Sequence, residues 1–267
     1  MARHWTPGFF SRILFGGSWS LEVVPEGLRV DDRLYGWSDL TCCSVAPAFF
    51  WGHLRLGQGD QEIFLRGMSR RLAEEISACA KTLGVMLPSI KALRAAMASD
   101  RYVSNRMVRE ALAISGAHAS HWHPDQSGLL APDLEPLGPD LKLFEQVTSG
   151  DYSAIEARND KFVAQETVLH DEYFCSVESS VLTLEQRVAT VVMEDCNLVI
   201  AAAGSGKTSV LVAKVGYLVK KGYASPEEIL VLSFNASVAD EIEARIKERL
   251  VQSDGGLQDR PSHAQLA

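Results

Sequence analysis

Apolar and polar positions change period several times along the chain, and each change marks an element. Leu21–Val24 and Leu28–Val30 are strand-like and are separated by Pro25-Glu26-Gly27, a turn signal. Trp51–Leu56 alternates apolar with polar, Gly57–Asp60 is a turn, and Gln61–Leu65 returns as a strand, which predicts a hairpin. Ser69 offers an N-cap, Leu72, Ile76, Ala80 and Leu83 follow at near-helical spacing, and Gly84 is the expected stop. Residues 89–115 keep a helical period, with Leu93, Met97, Met107, Leu112 and Ile114 as core candidates. Ser115–Pro139 is rich in Gly, Pro, His and Asp and reads as a loop or hinge. Leu141–Val147 and Tyr152–Val177 are helical again, with Ile155, Phe162, Val163 and Leu169 or His170 able to share a face. Two helices joined by a turn predict an antiparallel arm.

The last third has a different rhythm. An apolar stretch, Leu198–Ile200, runs into the small-residue segment Ala201–Thr208, and Leu211, Val215 and Leu218 then recur at helical spacing. Ser225-Pro-Glu-Glu228 is a capping box with Pro at the first helical position. Ile229–Phe234 predicts a buried strand, and Ala236–Leu250 an amphipathic helix with Val238, Ile242, Ile246 and Leu250 on one face. Glu241/Arg245 and Glu243/Lys247 are spaced to pair on its exposed side. The order strand, loop, helix, strand, helix predicts the opening of a parallel, doubly wound sheet. The fold class expected for the whole is multi-domain α/β, in three parts. Residues 1–85 form a small antiparallel sheet closed by a helix, 86–178 a helical arm with a flexible loop at 115–139, and 179–267 a partial P-loop NTPase lobe.

Composition narrows the function classes. The 267 residues carry a formal net charge of −8, so any contact with nucleic acid has to come from a local patch. The charge is uneven, with net values of 0, −6 and −2 over residues 1–85, 86–178 and 179–267, which makes the middle segment the least suited to meet phosphate. Five cysteines (Cys42, Cys43, Cys79, Cys175, Cys196) are odd in number and contain no CxxC pair, which argues against a disulfide framework or zinc ribbon. No apolar run approaches the roughly 18 residues of a membrane span. The N-terminus lacks a signal-peptide pattern, so the expectation is a cytoplasmic protein with no membrane partner.

The chemistry concentrates in Ala201-Ala-Ala-Gly-Ser-Gly-Lys-Thr208, which has the P-loop form with Ala at the first Gly position. Small residues let backbone N–H groups curl around phosphates, and the helix that follows points its positive dipole end at them. Lys207 can then reach the β- and γ-phosphates, and the Thr208 hydroxyl can meet Mg²⁺. The implied ligands are a nucleotide's phosphates and Mg²⁺, and ATP is the nucleotide that the resemblance given below implies. Upstream, Thr183 and Gln186 form a capping-box pattern. A carboxamide can also donate and accept at an adenine edge, and about twelve residues before a P-loop strand that use is the favoured one.

Other candidates are weaker. His121 and His123 sit at i, i+2 near His118, but no Cys or regular carboxylate set accompanies them. Aromatics are dense in the first segment (Trp5, Phe9, Phe10, Phe15, Trp19, Tyr35, Trp37, Phe49, Phe50, Trp51) and are better read as a small β-core than as a stacking platform for single strands. Arg3, His4, Arg12, Arg66, Arg70 and Arg71 make a small basic patch diluted by neighbouring acids.

Two resemblances follow from these residues. The N-terminal sheet and helix resemble a pleckstrin-homology-like module. Gln186, AAAGSGKT and LVLSFNASVADEIEARI (230–246) resemble the opening motifs of the superfamily 1 UvrD/Rep-type DNA helicases. The wider run YFCSVESSVLTLEQR (173–187), the spacing to the P-loop, and KTSVLVAKVGYLVKKGYASPEEILVLSF (207–234) are similar to one branch of that family. WSDLTCCSVAPAFFWGHLRL (37–56) and GMSRRLAEEI (67–76) resemble that branch's accessory N-terminal domain.

The resemblance implies ATP-dependent 3′→5′ translocation on single-stranded DNA. It places Gln186, Ala201, Ala202, Ala203, Gly204, Ser205, Gly206, Lys207, Thr208 and Ser209 at the nucleotide, with Lys207 and Thr208 serving transfer and Mg²⁺. Phe234, Asn235, Ser237 and His263 fall on the DNA side. Ser237 departs from the family's usual Lys. No acidic Walker B strand follows Leu250, so the expectation is the N-terminal part of a helicase, inactive by itself. The alternative is a non-enzymatic DNA- or protein-binding module with a vestigial or sensing nucleotide site. A complete small P-loop NTPase of another class fits less well.

Overall fold

The computed structural model describes residues 4–16, 18–48, 51–115 and 128–253. The chain is mixed α/β and divides into two compact units, Met1–Ala98 with Met107–Ala154, and Ser99–Arg106 with Ile155–Ala267. His118, His121, His123, Arg3, Phe49, Phe50 and His263 lie outside the described residues.

The first unit holds two antiparallel sheets. One has the order β1 (His4–Trp5), β2 (Leu21–Val24), β3 (Gly27–Val30), β4 (Arg33–Gly36), and the other β5 (Cys42–Ala48), β6 (Trp51–Gln58), β7 (Gln61–Ser69). Helix α1 (Phe9–Phe15) lies between β1 and β2, and α2 (Arg70–Ala98) follows β7. The expected β2–β3 turn is a two-residue one, since Val24 pairs with Gly27. The expected hairpin also forms, but its turn is tighter than Gly57–Asp60: Gln58 pairs with Gln61, so Gly57 and Gln58 belong to β6. Strands β1, β4 and β5 and helix α1 lack a legible period. Phe9, Phe10, Ile13 and Leu14 of α1 are all exposed, so no buried stripe marks that helix.

Helix α2 is longer than the apolar spacing and Gly84 suggested, and runs through residue 85 to Ala98. Its residues Leu72, Ile76, Ala80 and Leu83 share one core with Leu54, Leu56 and Leu65 of β6 and β7, and Leu93 is buried further along. Gly84 serves packing instead of termination, because a Cβ there would lie 2.8 Å from the carbonyl oxygen of Trp37. Trp37, in a short 3-10 turn, donates from its indole Nε1 to the carbonyl of Pro25 at 3.1 Å and is almost fully buried. A helix of this length and apolarity also passes the length and composition test for a membrane span, contrary to the run-length expectation. Over half of its apolar window (56%) is buried inside the unit, as suits a core helix. Helices α4 (Ala131–Leu134) and α5 (Gly138–Thr148) add Leu134, Leu141 and Phe144 to the same core.

Among the aromatics, Trp19, Tyr35 and Trp37 are core residues, whereas Phe9 and Phe10 stay exposed. The basic patch is compensated, since Arg70 pairs with Glu74 at 2.8 Å and Arg71 with Glu75 at 3.0 Å.

The second unit is helical where described. Helix α3 (Asn105–Ala113) starts in it and crosses the division. Then come α6 (Ser153–Leu169), α7 (Asp171–Ser176), α8 (Leu184–Val191), α9 (Lys207–Lys220) and α10 (Ala236–Ser253). The helix expected over 152–177 is thus broken at His170, and the division between units falls after Ala154, in the first turn of α6. The core packs Phe162, Val163, Phe174, Val191, Ala213 and Tyr217 together.

The expected parallel strands are not formed. Leu198–Ile200 and Ile229–Phe234 carry no ladder pairing, and Leu198 (85%), Ile200 (88%) and Leu232 (78%) are largely exposed, with Phe234 wholly so. An apolar parallel strand is stable only with hydrogen-bonded neighbours and helices over both faces. Among the described residues no segment pairs with either stretch. Helix α10 reflects this: Ile242 is buried against α9, while Val238, on the face meant to cover the strand, stays exposed.

Candidate nucleotide site

The site is built where α8, the 201–206 loop and α9 meet. Thr183 caps α8: its Oγ1 accepts from the Gln186 N–H at 3.4 Å, and the Gln186 side chain accepts from the Thr183 N–H at 2.9 Å. Both expected uses of this pattern are therefore in competition, and the capping box is made. Gln186 Nε2 donates in addition to the carbonyl of Ser205, 3.0 Å away. One side chain thus fixes the start of α8 and the crest of the loop together.

The loop turns on two glycines. Gly204 has φ +76 and Gly206 φ +83, a left-handed conformation that costs an L side chain about 1–2 kcal/mol. Gly206 is also the N-cap of α9, and a Cβ there would meet Gln186 Nε2 at 2.5 Å. Around Gly204 no atom lies within 4 Å of where a Cβ would stand. The left-handed turns leave the loop open on the side of Gly204 and tight on the side of Gln186.

Lys207 is the first residue of α9, and its Nζ donates to the carbonyls of Ala201 (3.0 Å) and Ala202 (2.7 Å). The ammonium therefore sits over the loop. Thr208 and Ser209 follow in the first turn of α9, both partly exposed. The free N–H groups of that turn and the helix dipole make this end attractive to an anion.

Asn235 Oδ1 caps α10 by accepting from the Val238 N–H at 3.3 Å. Phe234, Asn235 and Ser237 cluster, exposed, at that end of α10. Among the described residues no group of three or more His, Cys, Asp or Glu is placed to hold a metal. The capping box at Ser225 and Glu228 forms as expected, with Glu228 Oε2 accepting from the Ser225 N–H at 2.8 Å.

Lys214 was not legible as part of the site. Its Nζ donates to the carbonyl of Ala189 at 3.2 Å and also to that of Val192, tying the C-terminal end of α8 to the middle of α9. A lysine three residues past an apolar pair has no signature distinguishing a capping role from a solvated one. Burial pushes its ammonium down to about 8. In the unfolded chain the proton stays on up to about 10.4. Between these values the unfolded state binds more protons, so this group makes stability rise with pH. The expected result is that the urea midpoint of the wild type climbs relative to Lys214→Met between pH 8 and pH 10. A difference that stays flat over that range contradicts the assignment.

Residues 182–264 match the UvrD/REP helicase N-terminal domain. Among particular proteins, DNA helicase IV of Escherichia coli is 52% identical over 83 residues, which cover 31% of this chain and 12% of that one. The ATP-dependent DNA helicase srs2 of Schizosaccharomyces pombe is 36% identical over 73 residues (27% and 8%), and the ATP-dependent DNA helicase PcrA of Staphylococcus epidermidis 40% over 63 (24% and 9%). The aligned stretch thus spans about a tenth of the length of these relatives. No solved structure matches the chain.

Proposed function

We propose that the second unit binds ATP with Mg²⁺ through residues 201–209 and Gln186, as the nucleotide-binding segment of a UvrD-type 3′→5′ translocase on single-stranded DNA. The observation that carries this reading is the loop itself, turned by two left-handed glycines into the N-terminus of α9 with Lys207 folded over it. The relatives' names, all DNA helicases, support the class of reaction.

The chain's own residues then do the following. Backbone N–H groups of the loop and the first turn of α9 receive the phosphates. Lys207 exchanges two neutral carbonyl acceptors for phosphate oxygens, which are stronger partners for an ammonium. Adenine takes the Gln186 amide away from Ser205 and Thr183, so base recognition and release of the loop are one event. The Thr208 hydroxyl would hold Mg²⁺, which would neutralise phosphate charge. The cradle fits such a group, since no side chain occupies the open side at Gly204. Phe234, Asn235 and Ser237, with His263, are the proposed DNA contacts. Hydrolysis also needs a metal-holding acid and a cation for the developing charge, so we assign binding, not turnover, to these residues. The first unit, with its two antiparallel sheets followed by α2, is read as a pleckstrin-homology-like accessory module.

The test is titration of the purified chain with a fluorescent ATP analogue and Mg²⁺, beside Lys207→Ala. Losing a charge-assisted phosphate contact is expected to weaken binding about 10- to 100-fold. A folded wild-type chain that shows no saturable binding overturns the reading.

A further inference from the structure

Arg245, on α10, reaches the first turn of α9 and the segment after α7 with one guanidinium. Its Nη2 donates to Glu178 Oε2 at 2.6 Å and to Ser209 Oγ at 3.4 Å, while Nη1 lies 3.6 Å from Glu241 Oε1 one turn back. Glu178, from the segment after α7, is 4% exposed in its side chain. Its other oxygen, Oε1, is buried with no hydrogen-bond partner among the described residues. A buried carboxylate with one oxygen unpartnered depends on its single cation, so the guanidinium has little freedom to leave. The planar fork lets the two nitrogens address different acids while Nη2 also reaches the serine.

We propose that Arg245 is a positioning residue for the nucleotide site, holding the Thr208–Ser209 turn of α9 in register through Ser209 and anchored by Glu178. The inference rests on the nucleotide-binding reading above. Its chemical content is specific. Ser209 is adjacent to Thr208, the proposed Mg²⁺ residue, and the Ser209 hydroxyl accepts from Arg245. The link therefore acts on the metal-dependent part of binding more than on phosphate or base contacts. It also gives α10, whose N-terminal end bears Phe234, Asn235 and Ser237, a direct hold on the nucleotide-side turn of α9.

The experiment compares nucleotide affinity with Mg²⁺ and with EDTA, in the full chain, for wild type, Arg245→Gln, Arg245→Lys, Glu178→Gln and Lys207→Ala. Arg245→Gln is expected to raise the Kd for MgATP about fivefold, less than the loss of a direct charge-assisted contact because Arg245 acts through Ser209, and the Kd for metal-free ATP by less than about twofold. Arg245→Lys retains the charge opposite Glu178 but lacks the fork that also reaches Ser209, so it is expected to stay folded and still show part of the metal-selective loss. Should Arg245→Gln fail to fold, Glu178→Gln carries the test, since it keeps an acceptor for the guanidinium while releasing its anchor, and the same metal-selective loss is expected. Equal losses with and without Mg²⁺ indicate a merely structural pair and overturn the proposal. So does wild-type affinity in both Arg245→Gln and Glu178→Gln while Lys207→Ala has lost binding, which leaves the nucleotide-binding reading intact. Absence of binding by the wild type overturns both.

Discussion

Replacing Gly206 by valine is expected to remove nucleotide binding altogether, with affinity falling more than about 100-fold. Three costs coincide at this position. The φ of +83 is strained for any L residue and worst for a β-branched one. The new Cβ would stand 2.5 Å from Gln186 Nε2, so the amide that bonds Ser205 has to leave. Gly206 also starts α9, so a shift there moves Lys207 and Thr208 with it. Strain of about 1–2 kcal/mol plus the lost Gln186 contact and misaligned phosphate N–H groups accounts for the size. Isothermal titration with MgATP measures it. Gly206→Ala, which keeps the strain but has less bulk, is expected to be intermediate. Binding by Gly206→Val within tenfold of wild type contradicts the role given to this turn. The effect is local, so the thermal unfolding of the first unit should not change.

Glu166→Ala is expected to destabilise the second unit by about 3–5 kcal/mol, the range for breaking a buried ion pair. Glu166 is buried on α6, and its carboxylate accepts from Tyr217 Oη at 2.5 Å and from Lys221 Nζ at 3.2 Å. His170 Nε2 lies 3.2 Å from the same group, and its pKa is held below the usual histidine value, chiefly by burial. Tyr217 is fully buried, and its hydroxyl is pushed up by burial and by the hydrogen bond to Glu166. Truncating the acid leaves the phenol without its acceptor and Lys221 without its partner, at the end of α9 opposite the P-loop. Glu166→Gln keeps an acceptor for Tyr217 and should cost less, about 1–3 kcal/mol. Urea unfolding followed by tryptophan-independent far-UV signal reads both. A loss below 1 kcal/mol for Glu166→Ala means the pair is not coupled to folding.

The two predictions separate the unit's chemistry from its stability. Gly206 lies in a loop whose neighbours are exposed, so strain there is paid in affinity. Glu166 lies among packed side chains, so its removal appears in the folding equilibrium. Lys214 and Arg245 fall between: each joins α9 to a neighbouring helix, and each has a readout, pH or metal dependence, that plain packing does not share.

Legibility differed sharply between elements. The β2–β3 and β6–β7 hairpins announce themselves through turn residues and alternation, and both form. The 201–208 segment stands out in the sequence through its small residues followed by Lys207 and Thr208, and its turn has left-handed glycines at Gly204 and Gly206. Helix α1 was invisible because none of its large apolar residues is buried, and β5, with its two cysteines and a proline, has no alternation to read. Gly84 read as a stop because glycine is a poor helix residue in isolation; only the approach of the Trp37 carbonyl shows why it sits mid-helix. Gln186 was read in its favoured sense as an adenine contact, while the structure has it bonded to Thr183 and Ser205.

The sequence by itself determined the local features: hairpin turns, helix caps, the amphipathic stripe of α2, and the loop chemistry of residues 201–208. These depend on residues within a few positions of each other, where backbone propensity and side-chain spacing suffice. Only the tertiary structure decided whether Leu198–Ile200 and Ile229–Phe234 pair as strands, how far α2 extends, and which distant residues support the nucleotide turn. A strand exists through hydrogen bonds to a neighbour that its own residues do not specify, and a buried acid such as Glu178 declares its partner only when residue 245 is folded against it.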